Sequence, residues 1–162
     1  MNRYLKHFLV YALAWMPDRT YLKLTYRLKL GKKLDLDCPR TFSEKLNWIK
    51  LNYRRNEMTE MVDKYDMRQY VDQHIGKGHT VPLLGVWDCV DDIDFANLPS
   101  KFVLKCTHDC EGIVICQDKG RLDIQETKKK LKKAQKYNFY LQGREWPYKN
   151  VKPRATPYNL PT

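Results

Sequence analysis

The sequence has few of the features that would decide its class directly. Its 162 residues contain no run of about 20 apolar residues and no small-residue cleavage pattern, so neither a membrane-spanning helix nor a secretory signal is expected. Its five cysteines are odd in number and irregularly spaced, which argues against a disulfide framework and favours a reducing, cytoplasmic location. A hydrophobic content of 43% is too high for a disordered chain, so we expect a folded domain with a buried core.

The positive charge of the chain is concentrated at its two ends. The net charge is +11, made up of +7 over residues 1–33, −4 over residues 34–120 and +8 over residues 121–162. Basic segments attract phosphorylated ligands, acidic glycans, anionic lipid head groups and nucleic acid alike. Charge therefore predicts an anionic partner without choosing among these classes.

Helical patterns occupy most of the first half of the chain. An apolar stretch before Pro17 has near-helical spacing, and this helix either docks on the domain or lies on a membrane surface. A basic helix over residues 21–30 is predicted to end at Gly31. Thr41 then begins a helix, and Asp63 caps another that ends near Gly76. Apolar residues share one face of the first and third of these helices: Tyr4, Leu5, Phe8, Leu9, Tyr11, Ala12, Trp15 and Met16 in the first, and Phe42, Leu46, Ile49 and Tyr53 in the third.

Strand patterns follow in the second half. We predict strands over residues 80–87, 102–106 and 112–117, the last two forming a hairpin, and then a lysine-rich helix capped by Asp123. The residues after Arg154 have the pattern of neither helix nor strand. The expected fold is α+β: a basic helical region over residues 1–38, a domain with a small antiparallel sheet over 39–154, and an irregular tail over 155–162.

One strand carries a candidate phosphate ligand. Alternation places Phe102, Leu104 and Cys106 on one face of the strand and Val103 and Lys105 on the other, just before a loop. A lysine held in this way supplies a compact positive charge, and a loop above it adds backbone N–H groups. The alternative is an ordinary lysine on the solvated face of a sheet.

Several distinctive strings indicate a known family. They are Pro39-Arg40-Thr41-Phe42-Ser43-Glu44-Lys45-Leu46-Asn47-Trp48, Val62-Asp63-Lys64-Tyr65, Pro82-Leu83-Leu84-Gly85-Val86-Trp87, Leu98-Pro99, Phe102-Val103-Leu104-Lys105-Cys106 and Gly143-Arg144-Glu145-Trp146-Pro147-Tyr148-Lys149. On these strings the chain, over about residues 17–154, resembles the TupA-like (teichuronopeptide-biosynthesis) ATP-grasp family of polysaccharide-biosynthesis and glycosyltransferase proteins.

The resemblance implies a nucleotide-dependent chemistry. Such proteins grip ATP between two α+β lobes, typically with magnesium, and form an acyl phosphate that an amine attacks; the prototype is thought to attach amino-acid material to an acidic cell-wall glycan. Carried over to this chain, Lys105 would hold the ATP phosphates. The loop from Thr107 through His108 to Gly112 would close over them, with Lys64 and Arg68 in the same anionic cleft.

The loop itself departs from the family pattern. Where relatives tend to have Asn-His-Gly-Ser-Gly-Gly, this chain has Thr107-His108-Asp109-Cys110-Glu111-Gly112, which replaces flexible glycines and adds two carboxylates. A carboxylate about 4 Å from a phosphate charge costs roughly 4 kcal/mol at an effective dielectric constant near 20. The loop is therefore expected to bind nucleotide poorly unless these side chains turn away.

The C-terminal residues depart as well. Relatives continue after Pro153-Arg154 into a strand that binds adenine and later into acidic and amide residues that hold magnesium, whereas this chain has eight other residues. The resemblance thus implies a chain cut short, and leaves open whether it is an enzyme by itself.

Other classes of function have some support. Cys106, His108, Cys110 and Cys116 are types of residue that bind zinc, but there is no paired Cys-x-x-Cys, and the pattern favours Cys106 and Cys116 as small buried residues of a strand and its hairpin. His108 has the alternative of an ordinary surface histidine. A lysine run over residues 128–136, followed by aromatic residues, suits either nucleic acid or a solvated helix face. A third alternative is a noncatalytic module that binds an acidic glycan or a membrane surface.

Overall fold

The computed structural model of the protein describes residues 3–110 and 112–160, with side chains from Phe8 onward. The described residues form a mixed α+β fold, which confirms the predicted class. Its helices are α1 (Arg3–Ala12), α2 (Asp18–Leu30), α3 (Phe42–Asn52), α4 (Glu57–Val62), α5 (Asp66–His74), α6 (Ile124–Gln135) and α7 (Tyr140–Gly143); its strands are β1 (Phe102–Cys106), β2 (Ile113–Cys116) and β3 (Ala155–Asn159). Short 3₁₀ turns occupy Val90–Asp92, Lys119–Arg121 and Trp146–Asn150.

Capping residues set several helix boundaries as predicted. Gly31 ends α2 in the left-handed conformation, with φ of 66°. At α3, the Thr41 hydroxyl accepts a hydrogen bond from the Glu44 N–H, and the Glu44 carboxylate accepts one from the Thr41 N–H at 2.8 Å. The Asp123 carboxylate accepts from the Glu126 N–H at 2.8 Å at the start of α6. These three predictions are confirmed.

The helix predicted after Asp63 begins slightly later than expected. The Asp63 carboxylate accepts hydrogen bonds from the N–H groups of Tyr65 at 2.7 Å and Asp66 at 3.3 Å, and α5 then runs from Asp66 to His74. The short helix α4 just before it was not predicted. Asp63 is thus a buried junction between two helices.

The three strands form an antiparallel sheet in the order β2-β1-β3. The hairpin of β1 and β2 is confirmed, with Leu104 opposite Val114. The prediction of an irregular tail is wrong for residues 155–159, because β3 pairs with β1 along its whole length and places Pro157 opposite Leu104. The Pro157 carbonyl accepts from the Leu84 N–H at 3.1 Å, so the hydrogen-bonding side of Pro157 faces residues 80–87 and not β1. The lack of an N–H at this proline therefore costs no hydrogen bond between β3 and β1.

The strand predicted over residues 80–87 is also corrected. This segment pairs with β3 only at two isolated bridges, Leu83 with Tyr158 and Trp87 with Ala155. Pro82 cannot donate a hydrogen bond, and the Trp87 ring lies so close to Gly85 that an added Cβ would be 2.5 Å from a ring carbon. Pro82 and Gly85 therefore interrupt a regular strand, although the segment still covers the outer edge of β3.

The sheet has one buried face and one open face, as alternation predicted. Phe102, Leu104 and Cys106 pack with Leu131 of α6 in the main hydrophobic cluster, whose other members include Val90, Ile93, Phe95 and Leu98. Val103 and Lys105 point to the opposite side, toward a cavity. The fold thus presents the Lys105 side chain away from the core.

The N-terminal helices dock on the rest of the domain. Val10 is buried, the Tyr11 hydroxyl donates to the Lys136 carbonyl at 3.0 Å, and Arg144 donates to the Leu13 carbonyl at 2.8 Å. The Tyr4 and Leu5 side chains, predicted on the apolar face of α1, lie outside the described residues. In the described part of the chain, no helix has the length and apolar character needed to span a bilayer.

Candidate functional site

A cavity of about 400 Å³ lies on the open face of the sheet. Its walls come from α5 and from Lys64 two residues before it, from residues 79–81, and from β1 and β3. The lining residues are Lys64, Met67, Arg68, Val71, His79, Thr80, Val81, Val103, Lys105, Tyr158 and Asn159.

The charge of this lining has a single sign. Lys64, Arg68 and Lys105 are all basic, and among the described residues no carboxylate contributes to the walls. The remaining wall is largely apolar, so the cations lie beside a surface of low dielectric constant where electrostatic attraction is stronger than in water. The cavity is therefore suited to a compact anion such as a phosphate group.

Lys105 is the basic residue with most freedom to meet a ligand. Its side chain is half-buried, and Nζ lies 5.5 Å from the centroid of the Tyr158 ring. Tyr158 also contacts the opposite wall of the cavity, where its hydroxyl donates to the Lys64 carbonyl at 3.4 Å. The cation–π contact orients the ammonium group without supplying a counter-charge.

Lys64, in contrast, is occupied by the loop that follows β1. Its Nζ donates to the carbonyls of Cys106 at 2.9 Å and Thr107 at 3.3 Å, and also to the carbonyl of Asp109. Burial lowers the pKa of Lys64 from its ordinary value. The residue therefore holds the loop in place and adds positive potential to the cavity.

Replacing Lys64 with Met should destabilise the domain. The change removes the side-chain donor of the Cys106 and Asp109 carbonyls, while the Thr107 carbonyl keeps the Lys64 backbone N–H. We expect a loss of about 1–3 kcal/mol in the free energy of unfolding, measured by urea denaturation. Lys105→Gln is the matched control and should change stability by less than about 0.5 kcal/mol. Equal effects of the two substitutions would contradict the different roles assigned to these lysines.

Arg68 connects two walls of the cavity. Lys64 and Arg68 were predicted to share one face of a helix, but α5 begins only at Asp66, so Lys64 precedes it; both residues nevertheless line the cavity. The Arg68 guanidinium group donates to the Val81 carbonyl. This bond uses one of five N–H donors, so the remaining edge of the group is left for an anion.

Three other predicted phosphate ligands do not line the cavity. The buried Thr107 hydroxyl donates to the Lys152 carbonyl at 2.7 Å and accepts from the Arg154 N–H at 3.0 Å. The ring of His108 is bonded to the Ala134 carbonyl of α6 at 3.0 Å, and the side chain is only 3% exposed, so the expectation of a surface histidine is wrong. Gly112 packs against Cys106 and Ala134 so closely that an added Cβ would clash with both.

The Asp109 carboxylate turns away from the cavity. Both of its oxygens accept from the Gly112 N–H at 3.0 Å, and the side chain is almost fully buried. The electrostatic penalty expected from this residue is therefore reduced by the fold of the loop itself. Glu111, the other added carboxylate, lies outside the described residues.

The cysteines near this loop are not gathered around one point. Cys106 and Cys116 belong to the hydrophobic core, where burial raises the pKa of the Cys106 thiol to about 12, while Cys110 is exposed. In the described part of the chain, no group of three or more His, Cys, Asp or Glu side chains is placed to hold a metal ion.

The cavity also contains residues that the sequence patterns did not indicate. His79 follows two glycines in a segment without clear periodicity, and Tyr158 and Asn159 belong to the segment predicted as a tail. The sequence signal for the last two was weak, because Thr156 and Tyr158 are residue types that favour strands but Pro157 between them is typical of a loop.

A strand lysine beside a loop, facing a helix that begins after an Asp-Lys pair, is the arrangement inferred from the family resemblance. A profile of the TupA-like ATPgrasp family matches residues 44–156 of the chain. The chain belongs to this family. Searches of curated proteins and of solved structures found no significant match.

The family match covers most, but not all, of the cavity. Lys64, Arg68 and Lys105 fall within the matched residues, whereas Tyr158 and Asn159 lie just beyond them. ATP-grasp proteins generally use ATP and magnesium. The basic lining of this chain fits the phosphate groups of ATP, but the described residues show no cluster of acidic ligands that fits magnesium.

Proposed function

We propose that this ATP-grasp chain binds the phosphate groups of ATP in the cavity beside β1 and acts in cell-surface polysaccharide biosynthesis. The reaction class is ATP-dependent ligation or transfer onto an acidic glycan. The observation that carries the proposal is the convergence of Lys64, Arg68 and Lys105 on one cavity whose described lining has no carboxylate.

The three cations have different tasks in this proposal. Lys105 meets the phosphate directly as a point charge, since the face of Tyr158 leaves its positive charge uncompensated. Arg68 offers the N–H groups that Val81 does not use, and Lys64 keeps the loop over the strand closed. When bound, ATP supplies the phosphoryl group that activates a carboxylate for attack by an amine.

The proposed acceptor is an acidic glycan because a second basic surface lies outside the cavity. One face of α6 carries Lys128, Lys129, Lys132, Lys133 and Lys136. Asp91 pairs with Lys132 at 2.7 Å and approaches Lys128 at 3.9 Å, and Glu126 approaches Lys129 at 3.9 Å, so two carboxylates face five lysines. Residues 121–162 retain a net charge of +8, which complements a polyanion.

The same lysine face supports a second candidate, a noncatalytic module that binds an acidic glycan. The two functions differ in their response to nucleotide. A catalytic or regulatory ATP site requires stabilisation of the fold by ATP, whereas a glycan-binding module requires stabilisation by an acidic polysaccharide alone. Thermal shifts with ATP, with polyglucuronate and with a neutral glucan separate the two candidates.

We expect Lys105→Gln to weaken ATP binding at least tenfold. Removing one charge from contact with a phosphate in a partly desolvated cavity costs more than the roughly 1.4 kcal/mol that a tenfold change in Kd represents. Isothermal titration of the full chain with ATP would measure the difference. The matched control is Lys101→Gln, which changes an exposed lysine four residues earlier.

Two results would contradict the proposed site. One is the absence of any heat or thermal shift for the unmodified chain at millimolar ATP. The other is equal weakening by Lys101→Gln and Lys105→Gln, which would indicate nonspecific attraction to a basic protein. Binding that falls with Lys105→Gln and Arg68→Gln, but not with Lys101→Gln, supports the cavity.

A further inference from the structure

The helix α3 shows its apolar face to solvent. Phe42, Leu46, Ile49 and Tyr53 share one stripe, as their spacing predicted, yet they are 76%, 42%, 41% and 46% exposed. No residue of α3 is buried. An amphipathic helix in a globular domain normally turns such a stripe toward the core, so this one is available to another surface.

A neighbouring face of α3 packs against the domain. Ser43, Asn47 and Lys50, with Leu46 at the edge of the stripe, line a cleft that α3 shares with α2 and α7, and Leu51 packs against the apolar cluster of α2. The Lys50 ammonium donates to the Gly143 carbonyl at 3.1 Å and pairs with Glu145 at 3.2 Å. These polar contacts fix the rotation of the helix and keep the apolar stripe outward.

Basic residues lie next to the exposed stripe. Lys45 is one helical turn from both Phe42 and Ile49 and is exposed, and Trp48 beside it is 41% exposed. Lys29 of α2, also exposed, lines the same cleft as Leu46. Residues 1–55 contain thirteen Lys and Arg against four Asp and Glu, a net charge of +9. The same segment exposes Phe8, Trp15 and Leu28 at 69%, 78% and 76%.

We propose that the exposed stripe of α3 docks on an anionic lipid surface. The apolar side chains would enter the boundary between head groups and acyl chains. Trp48 and Tyr53 would lie at the level of the head groups, and Lys45 and the neighbouring basic residues would meet the lipid phosphates. The proposal rests on α3 and the charge of its segment, so it does not depend on ATP binding.

Charge favours a lipid surface over a second copy of the chain. A two-fold symmetric dimer brings the same patch of both copies together, so the basic surroundings of one stripe would face those of the other. Like charges at an interface repel, whereas an anionic leaflet attracts the same residues at about 1 kcal/mol per lysine or arginine near its surface.

Vesicle co-sedimentation of the full chain tests this proposal. We expect binding to vesicles of phosphatidylcholine mixed with phosphatidylglycerol, weak binding to phosphatidylcholine alone, and weaker binding as salt is added. Phe42→Ser with Ile49→Ser should reduce partitioning to the mixed vesicles by about tenfold or more, because two large apolar side chains no longer leave water. Lys45→Glu should also weaken binding to the anionic vesicles.

Matched variants distinguish the stripe from general stickiness. Ile75→Ser removes a residue that is 66% exposed beyond the end of α5 and should leave vesicle binding unchanged. Phe42→Leu with Ile49→Leu should retain binding, and thermal melts of all variants check folding. Equal sedimentation of the serine double variant and the unmodified chain would overturn the proposal. So would a dimer in sedimentation equilibrium that the serine double variant abolishes, since the second copy would then be the occupant.

Discussion

Ending the chain at Arg154 should abolish cooperative folding of the domain. The cut removes β3, whose Ala155, Thr156 and Pro157 are fully buried and whose five residues pair with β1. The remaining hairpin of β1 and β2 would keep its packing on α6, but the backbone groups along one edge of β1 would lose the partners that β3 supplies. The expected loss exceeds about 5 kcal/mol, the lower end of the stability of a typical domain. Urea denaturation followed by circular dichroism measures it.

A chain that ends at Asn159 is the control for this truncation. It keeps all of β3 and should unfold at nearly the same urea concentration as the full chain, with a difference of less than about 0.5 kcal/mol. If the chain ending at Arg154 also folds cooperatively with unchanged stability, residues 155–159 do not form the strand described above. An irregular tail would produce that second result.

Local signals in the sequence were sufficient for the elements that depend on local contacts. The capping pairs Thr41 with Glu44 and Asp123 with Glu126 each join residues three apart, so their pattern is visible in a short window. The hairpin of β1 and β2 is similarly local. The family was also predictable, because its strings are specific, and all of them except the first five residues of the first string lie within a continuous match over residues 44–156.

Elements that depend on distant partners were not predictable in this way. β3 pairs with β1 across about fifty residues, and its central proline has the signature of a loop. Residues 80–87 have the composition of a strand, but they meet their partner β3 at only two isolated bridges. How far each segment pairs is thus decided by a distant strand and not by its own composition.

In the candidate site, too, the residues set by local rules were predictable and those set by tertiary packing were not. Lys105 was predicted to point away from the core because alternation on a strand is a local rule. The burial of His108 under α6 and the turn of the Asp109 carboxylate onto Gly112 depend on how the loop packs, which the loop sequence does not reveal. The family resemblance assigned phosphate binding to this loop, whereas three of its predicted ligands serve its own packing.

The start of β3 carries a second contact with a large expected effect. The Arg154 guanidinium pairs with Asp63 at 3.3 Å and with Asp66 at 3.0 Å, and its centre lies 5.0 Å from the centroid of the Tyr65 ring. The Asp63 side chain is 1% exposed and that of Arg154 is 17% exposed. This ion pair therefore joins β3 to the junction of α4 and α5, from which the cavity residues Lys64 and Arg68 also project.

Arg154→Met should destabilise the domain by about 3–5 kcal/mol at neutral pH, because it leaves the Asp63 carboxylate buried without its main cation. Burial already raises the pKa of Asp63, against opposing hydrogen bonds from Tyr65 and Asp66 and the charge of Arg154. Without Arg154 the pKa should rise further. A folded-state pKa above the unfolded value means that the folded protein binds the proton more tightly, so stability increases as the pH falls through that interval.

Urea denaturation of the variant at about pH 7 and about pH 5 should therefore show part of the lost stability recovered at the lower pH. The unmodified chain, in which Arg154 is present, should show a smaller recovery. Adding Asp63→Asn to Arg154→Met removes the buried charge, so the double variant should be more stable at neutral pH than Arg154→Met alone. Arg121→Met is the control for losing an arginine, because the Arg121 side chain is 90% exposed. A loss below about 1 kcal/mol that does not change with pH would show that this pair does not hold β3 to the helices.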